Sequence, residues 1–180
     1  PVLIPFAISF RYYHLQHHRC QGVDGIDTDI PSYKEASLVK ERTAKLLWLS
    51  FQIFAYALRP VLTHPIPITN WQVANACVQV AANAFIWIYA GKMGVLYLLL
   101  SVVFSGGLHP CAGHFLSEHY TSSPEQETYS YYGSLNKLTW NVGYHNEHHD
   151  FPRVPWSRLP QLHHEAYEYY SPLKNCTSWT

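Results

Sequence analysis

Two apolar stretches dominate the hydrophobic pattern of the chain, residues 73–90 and residues 95–108. Each is slightly shorter than the roughly 20 residues that a membrane-spanning helix needs. The glycines of residues 91–94 predict a tight turn between them, and aromatic side chains of the kind enriched at membrane interfaces lie near the predicted ends. We therefore predict a transmembrane helical hairpin over residues 73–108. The flanking aromatic residues are Trp71, Trp87, Tyr89 and Tyr97.

Residues 44–62 form a third apolar and aromatic segment, which Gln52, Arg59 and Pro60 interrupt. Because Arg59 and Gln52 fall inside it, we predict that this segment lies in the membrane interface, or re-enters, and does not cross the bilayer. Residues 1–10 are also apolar. They are typical of the end of a membrane helix, so we expect the chain to be an N-terminally incomplete piece of a longer protein.

The polar pattern has one repeated feature, an H-x-x-H-H box near each end of the chain. If each box is helical, its three imidazoles share one helical face. Neutral imidazole is the commonest nitrogen ligand and suits iron, zinc and copper. Two such faces brought together can hold one metal ion or, with this many nitrogens, two. The first box is His14, His17 and His18, and the second is His145, His148 and His149.

The two boxes constrain the membrane topology. They must lie on the same side of the membrane to share a metal centre, so an even number of spans separates them, and the hairpin supplies two. Lys92 lies in the far turn and every other Lys and Arg lies on the box side, which is the charge asymmetry of cytosolic loops. We predict an all-α integral membrane protein with a single domain over residues 1–180. Its parts are a helix end with box and loop (1–31), an interfacial helix (44–62), the hairpin (73–108) and a cytosolic, histidine-rich helical cap that holds a dimetal site (109–180).

Further histidines follow directly on the predicted membrane exit. His114 is the first candidate for an additional metal ligand, His119 the second and His109 the third. Glu118 is a candidate for a carboxylate that orients a ligating histidine. Inside the second box, Asn146 and Glu147 face away from the imidazoles, so we expect them to support the ligands or to cap the helix. His64, His163 and His164 stand outside the box pattern and are interpreted as surface residues.

Composition narrows the chemistry. Lys+Arg and Asp+Glu balance at 12 each, so no nucleic-acid partner is indicated. The four cysteines form no C-x-x-C pair, and we expect free thiols in a reducing compartment. A structural zinc uses four ligands, usually including Cys, and the boxes hold too many histidines for it. A dinuclear iron site that activates oxygen fits this count. The aspartates of residues 21–31 match a calcium loop only loosely, so turn formation and helix capping are expected of them. The sequon at Asn175 should remain unmodified on the cytosolic side.

These motifs resemble the membrane fatty-acyl desaturase superfamily, and within it the sphingolipid Δ4-desaturases. The resemblance covers nearly the whole chain and weakens after Pro160. The first box of that family, an H-x-x-x-H pair, is absent, so we expect it upstream of Pro1 and expect the chain by itself to be inactive. The matching segments are residues 13–19, 22–31, 109–120, 127–133 and, most specifically, 141–152.

The resemblance implies a mechanism and its partners. Two irons activate O2 with electrons from NADH, delivered by a reductase and cytochrome b5, in the endoplasmic reticulum membrane. Hydrogen is removed from C4 and then C5 of dihydroceramide, and the trans double bond of ceramide results. The implied iron ligands are His14, His17, His18, His145, His148 and His149, with His114 as the best candidate for a further one.

Two alternatives remain open. A sphingolipid C4-hydroxylase, or another membrane lipid hydroxylase, would use the same ligands, and no motif separates it from a desaturase. A non-catalytic membrane metal-binding protein or transporter belongs to another class. It would need histidines inside the spans, and residues 73–90 and 95–108 contain none.

Overall fold

The structure is a computed structural model that describes residues 3–119 and 122–178, apart from the side chain of residue 111. It is mostly helical, as predicted. The chain divides into two compact units, Pro1–His109 and Pro110–Thr180. The first unit contains helices α1 (Ala7–His17), α2 (Tyr33–Leu38), α3 (Arg42–Thr63) and α4 (Asn70–Ser105).

Helices α3 and α4 are the two that are long and apolar enough to cross a membrane, by length and composition, in the part of the chain that the structure describes. They have 22 and 36 residues, with mean hydropathies of 1.3 and 1.8 in their apolar windows. Every residue in the window of α4 is at least partly exposed. A core helix of a water-soluble fold would instead be mostly buried, so this exposure favours lipid as the surrounding medium. The interfacial placement of α3 stays a prediction.

Helix α4 is interrupted at Gly91, inside the predicted turn. Gly91 has φ 61° and ψ −166°, a conformation that glycine adopts without steric cost and other residues rarely adopt. Two helical segments therefore meet at this residue. Whether the segments return antiparallel, as the predicted hairpin requires, stays a prediction.

The polar residues of the first α4 segment serve its contact with the N-terminal part of the chain. The Ile8 N–H donates to Asn75 Oδ1 at 3.4 Å, and the Asn83 amide donates to the Leu3 carbonyl at 3.0 Å. Asn75 and Asn83, which interrupt the apolar sequence of the helix, are thus hydrogen-bonded, as polar groups in an apolar setting must be. After α4, Gly107 lies close to α3, since a Cβ there would stand 2.9 Å from the Ser50 carbonyl oxygen.

The second unit is built from short elements held by side chains. Asn136 donates to the Tyr131 carbonyl at 2.6 Å and accepts from the Gly143 N–H at 2.9 Å. A Cβ at Gly143 would stand 2.5 Å from both the Asn136 Oδ1 and the Tyr131 carbonyl oxygen, so only glycine fits at this position, two residues before His145. Its elements are α5 (Pro110–Ser117), β1 (Ser130–Tyr131), α6 (His145–Asp150), α7 (Leu159–Glu165), α8 (Tyr167–Tyr170) and β2 (Asn175–Cys176), with β1 and β2 parallel, and 3₁₀ turns at Ser134–Lys137 and Trp156–Arg158.

Candidate metal centre

The first box lies on the last turns of α1. His14 and His17 belong to the helix and His18 caps it. The Nε2 atoms of His14 and His18 are 3.3 Å apart, and the ring of His17 lies 5.7 Å from that of His14. The predicted grouping of the three imidazoles on one helical face is therefore what the structure shows.

Two aspartates of the following loop contact the rings of the first box. Asp27 Oδ2 lies 2.9 Å from His17 Nδ1, and Asp29 Oδ2 lies 2.6 Å from His14 Nδ1. A carboxylate at Nδ1 holds the proton there and leaves the Nε2 lone pair for a metal. His17 is fully buried, and Asp27 is 4% exposed. Both pairs have the arrangement that orients a ligating histidine.

Backbone groups of its own loop hold the Asp27 carboxylate in place. It accepts hydrogen bonds from the backbone N–H groups of Gly22 and Asp29. Burial by itself would raise the pKa of Asp27, but the hydrogen bonds from His17 and from these backbone groups outweigh it, so the pKa lies below its usual value. The sequence interpretation gave these aspartates only turn and capping roles and missed their contacts with the histidines. Their position in a glycine-containing loop directly after a histidine box was the signal.

Helix α3 supports the aspartate loop from behind. Arg59 donates to the Thr28 carbonyl at 2.9 Å and forms a two-point ion pair with Glu35, at 2.7 and 2.9 Å. The Tyr56 hydroxyl donates to Asp29 Oδ1 at 3.2 Å. Arg59 is 7% exposed, so this charge is both buried and paired.

The second box forms α6, and His119 lies against it. His119 Nε2 is 3.0 Å from His145 Nε2, and the ring of His149 lies 5.0 Å from His119 and 4.4 Å from His145. His148 lies near the same group, with its ring edge-on to that of His149 at 5.9 Å. His119, which follows α5 in the chain, thus joins the histidines of the second box.

Glu118 lies between two histidines of the second unit, and its role in orienting a ligand stays a prediction. Its Oε1 lies 2.9 Å from His114 Nε2 and 3.6 Å from His145 Nδ1. It is 4% exposed, and His114 is 5% exposed. His114 was the first candidate for an additional ligand, and in the structure its Nε2 faces this carboxylate. His109 is exposed at the end of the first unit.

The nitrogen spacing can be tested against a metal. Two ring nitrogens bound to one ion at about 2.0–2.1 Å, with angles near 90–110°, stand about 2.9–3.4 Å apart. The His14–His18 pair at 3.3 Å and the His119–His145 pair at 3.0 Å both fall in this range. Each unit therefore offers a nitrogen pair that fits the coordination sphere of one ion, and a set of imidazoles suits iron.

The two residues inside the second box point away from the imidazoles. Asn146 Oδ1 accepts from the Thr128 hydroxyl at 2.9 Å. Glu147 is fully buried and accepts from Ser130 Oγ at 3.0 Å and from the Tyr132 hydroxyl at 2.8 Å. Burial raises the pKa of Tyr132, and a hydrogen bond from Ser130 opposes this while Glu147 adds to it.

The interpretation of His163 as a surface residue was wrong. Its Nδ1 lies 2.5 Å from Glu147 Oε1, and its side chain is 18% exposed. His164 is exposed, as predicted. His64 is half-buried, and its carbonyl accepts from the Tyr13 hydroxyl at 3.0 Å.

Comparison with known proteins gives the class of this chain. The family model described as fatty acid desaturase matches residues 1–176, so the chain belongs to the fatty acid desaturase family. This confirms the resemblance inferred from the boxes. No solved structure matches the chain significantly.

The individual proteins that the chain resembles carry more specific names than the family. The chain is 53% identical to a rice protein named sphingolipid delta(4)-desaturase DES1-like and 50% identical to the fruit-fly sphingolipid delta(4)-desaturase DES1, in each case over 100% of the chain. It is 49% identical, over 99% of its length, to a bovine protein named sphingolipid delta(4)-desaturase/C4-monooxygenase DES2. The matches cover 55%, 56% and 55% of those proteins, so the chain spans about half the length of the curated relatives it matches.

Proposed function

We propose that the complete protein that carries this chain is a sphingolipid Δ4-desaturase, which introduces a trans C4–C5 double bond into dihydroceramide to give ceramide. The observation that carries the proposal is the pair of H-x-x-H-H boxes with nitrogens at metal-ligand spacing. It occurs in a chain about half identical, along its whole length, to proteins named sphingolipid delta(4)-desaturase.

The boxes and their neighbours would hold two irons. When bound, the irons supply the oxygen activation needed to remove one hydrogen from each of two adjacent carbons. The chemistry of the donor set supports this assignment, because imidazole nitrogens line both clusters and carboxylates stand behind them. The residues that would serve as ligands are His14, His17, His18, His114, His145, His148 and His149, with His119 as a further ligand.

The carboxylates of the chain fix the imidazoles before any metal binds. Asp27 and Asp29 hold the Nδ1 protons of His17 and His14, so the Nε2 atoms are the ones that can bind a cation. Glu118 lies between His114 and His145 and limits the rotation of both rings. Orientation of this kind lowers the reorganisation that metal binding requires.

The substrate and electron partners follow from the same proposal. A dihydroceramide lipid reaches the site from the membrane, and cytochrome b5 with its reductase delivers electrons from NADH. We place the boxes on the cytosolic face of the endoplasmic reticulum membrane. The positive charge on the box side and the break of α4 at Gly91 support a hairpin that returns the chain to that face.

Glycosylation mapping tests this topology. An acceptor site placed in a lengthened turn at residues 91–94 should be modified in microsomes, because the turn then lies in the lumen. The native sequon at Asn175 should remain unmodified. Modification of Asn175 would place the second unit in the lumen and contradict the proposed topology.

Lipid analysis tests the activity. The complete protein, expressed in a yeast strain that makes dihydroceramide but no Δ4-unsaturated ceramide, should yield ceramide with a trans C4–C5 double bond. A matched strain that expresses the His148→Ala variant should yield none. Wild-type protein that is present in the membrane and leaves dihydroceramide unchanged would overturn the proposal.

C4-hydroxylation is a second candidate activity. The bovine relative carries both desaturase and C4-monooxygenase in its name, and it is 49% identical to this chain. The same lipid analysis separates the two outcomes, because the hydroxylated product is heavier than dihydroceramide by one oxygen and the desaturated product is lighter by two hydrogens.

A further inference from the structure

The helix of the second box is too short to orient its own ligands. Helix α6 has six residues, and helices of this length are not stable by themselves in water. Its rotation must therefore be set by side chains that reach into the surrounding unit. Glu147 is suited to this, since at about 100° per residue it lies roughly 150° around the helix from the centre of the three histidines.

Glu147 is held by donors from three separate positions of the second unit. Ser130 belongs to β1, Tyr132 follows that strand, and His163 lies on α7. A carboxylate that is 0% exposed needs such partners, because burial without them costs several kcal/mol. The His163 contact is the shortest of the three, with Nδ1 2.5 Å from Oε1.

The ring of His163 is itself fixed. It lies 4.4 Å from the Tyr132 ring, and it stacks on Tyr170 at 5.8 Å with an interplanar angle of 26°. The Tyr170 hydroxyl donates to Asp150 at the end of α6, at 3.1 Å. The α7–α8 segment thus contacts the back of α6 at two points.

We propose that His163 is a positioning residue for the second histidine box: by donating to Glu147 it fixes the rotation of α6 and hence the directions in which His145, His148 and His149 present their ring nitrogens. The proposal rests on the proposed function in one respect, namely that the second box binds the metal. The hydrogen bond and its burial belong to the second unit itself.

Three variants of the complete protein separate the hydrogen bond from simple packing. His163→Leu keeps much of the bulk and removes the donor. His163→Asn places an amide nitrogen close to the position of Nδ1, whereas His163→Gln carries the same amide further out, near the position of Nε2. The matched control is His164→Leu, one residue away and exposed.

The readouts are iron bound per purified protein over a range of free Fe²⁺ and the thermal unfolding of the metal-free protein in detergent. Loss of a residue that hydrogen-bonds a metal ligand typically weakens metal binding about 10- to 100-fold. We expect a loss in this range for His163→Leu, a smaller loss for His163→Gln, and affinity within about threefold of wild type for His163→Asn and His164→Leu.

Two outcomes would overturn the proposal. One is wild-type iron affinity in His163→Leu. The other is equal affinity in His163→Asn and His163→Gln, which are matched in polarity and differ in the position of the donor; this comparison still decides if the Leu variant does not fold. A wild-type protein that binds iron but forms no desaturated lipid would refute the proposed activity and leave the positioning role intact.

Discussion

In the first box, His14 and His17 turn their Nδ1 atoms towards two aspartates of the loop that follows the helix. In the second box, the most buried carboxylate, Glu147, belongs to the box itself and faces the opposite way, towards β1 and α7. In the first unit, the H-x-x-H-H spacing is thus supported by direct contacts of two aspartates with box histidines. In the second unit, Glu118 contacts one box histidine, His145, and Glu147 anchors the helix from behind. The difference teaches that the spacing specifies a shared face but not the means by which that face is held.

Removal of a box histidine should have the largest effect, and it should be equal in the two boxes. His17→Ala and His149→Ala each delete a nitrogen that the proposed site needs. We expect both variants to abolish product and to lower bound iron. The loss should exceed the roughly 10- to 100-fold weakening of metal binding that follows loss of a residue hydrogen-bonded to a ligand. Elemental analysis of the purified variants measures this. Unchanged iron and activity in either variant would show that its box does not bind the metal.

Replacement of the aspartates should break the comparison, because only the first box depends on them. Asp27→Asn keeps the shape of the side chain but removes the charge that faces the buried His17. We expect iron affinity to fall about 10- to 100-fold. Asp29→Asn should have a smaller effect, since the His14 side chain is 27% exposed. Titration with Fe²⁺ measures the iron affinity of both variants. Iron affinity equal to that of wild type in both would contradict the roles assigned to the aspartates.

More of the fold than of the candidate site could be predicted from the sequence. The boxes, the apolar segments and the break near Gly91 follow from local spacing and composition, because each depends on neighbours within a turn or two. The role of His163 did not follow, since its partner Glu147 lies 16 residues earlier and only the folded second unit brings the two together. Asp27 and Asp29 lie between these cases, with partners in the preceding box but a role that depends on the loop path.

The Glu35–Arg59 ion pair gives the first unit a defined pH dependence. Burial acts to raise the pKa of Glu35, but hydrogen bonds from Arg59 and Trp48 outweigh it and place the pKa below the usual 4.5. Stabilisation from a lowered pKa is fully present above the unfolded value and is lost as the pH falls through the folded value. Glu35→Gln should therefore lower unfolding free energy at neutral pH by about 1.5–3 kcal/mol.

Thermal unfolding in detergent between neutral pH and about pH 3 checks this linkage. The difference between wild type and Glu35→Gln should shrink as the pH falls below 4.5, the usual pKa of a glutamate. A difference that is constant across this range would mean that the ion pair does not stabilise the loop. Iron binding by the second box should be unaffected if the two units are supported independently.

The smallest effect is expected at His164. Its side chain is exposed beside the buried contact of His163, so surface substitution should change stability by no more than about 0.5 kcal/mol. His164→Ala should keep activity within about twofold, a change of about 0.4 kcal/mol in the barrier. A loss of product comparable to that of a box variant would show that α7 contributes a second residue to the site.

The metal content of the complete wild-type protein tests the central claim most directly. After expression with ⁵⁷Fe and purification in detergent, elemental analysis with Mössbauer spectroscopy gives the number of irons per chain and their environment. The account predicts about two irons per chain in nitrogen-rich coordination, as expected for a dinuclear site built from imidazoles. Folded protein that carries zinc instead, or that binds no iron at all, would contradict it.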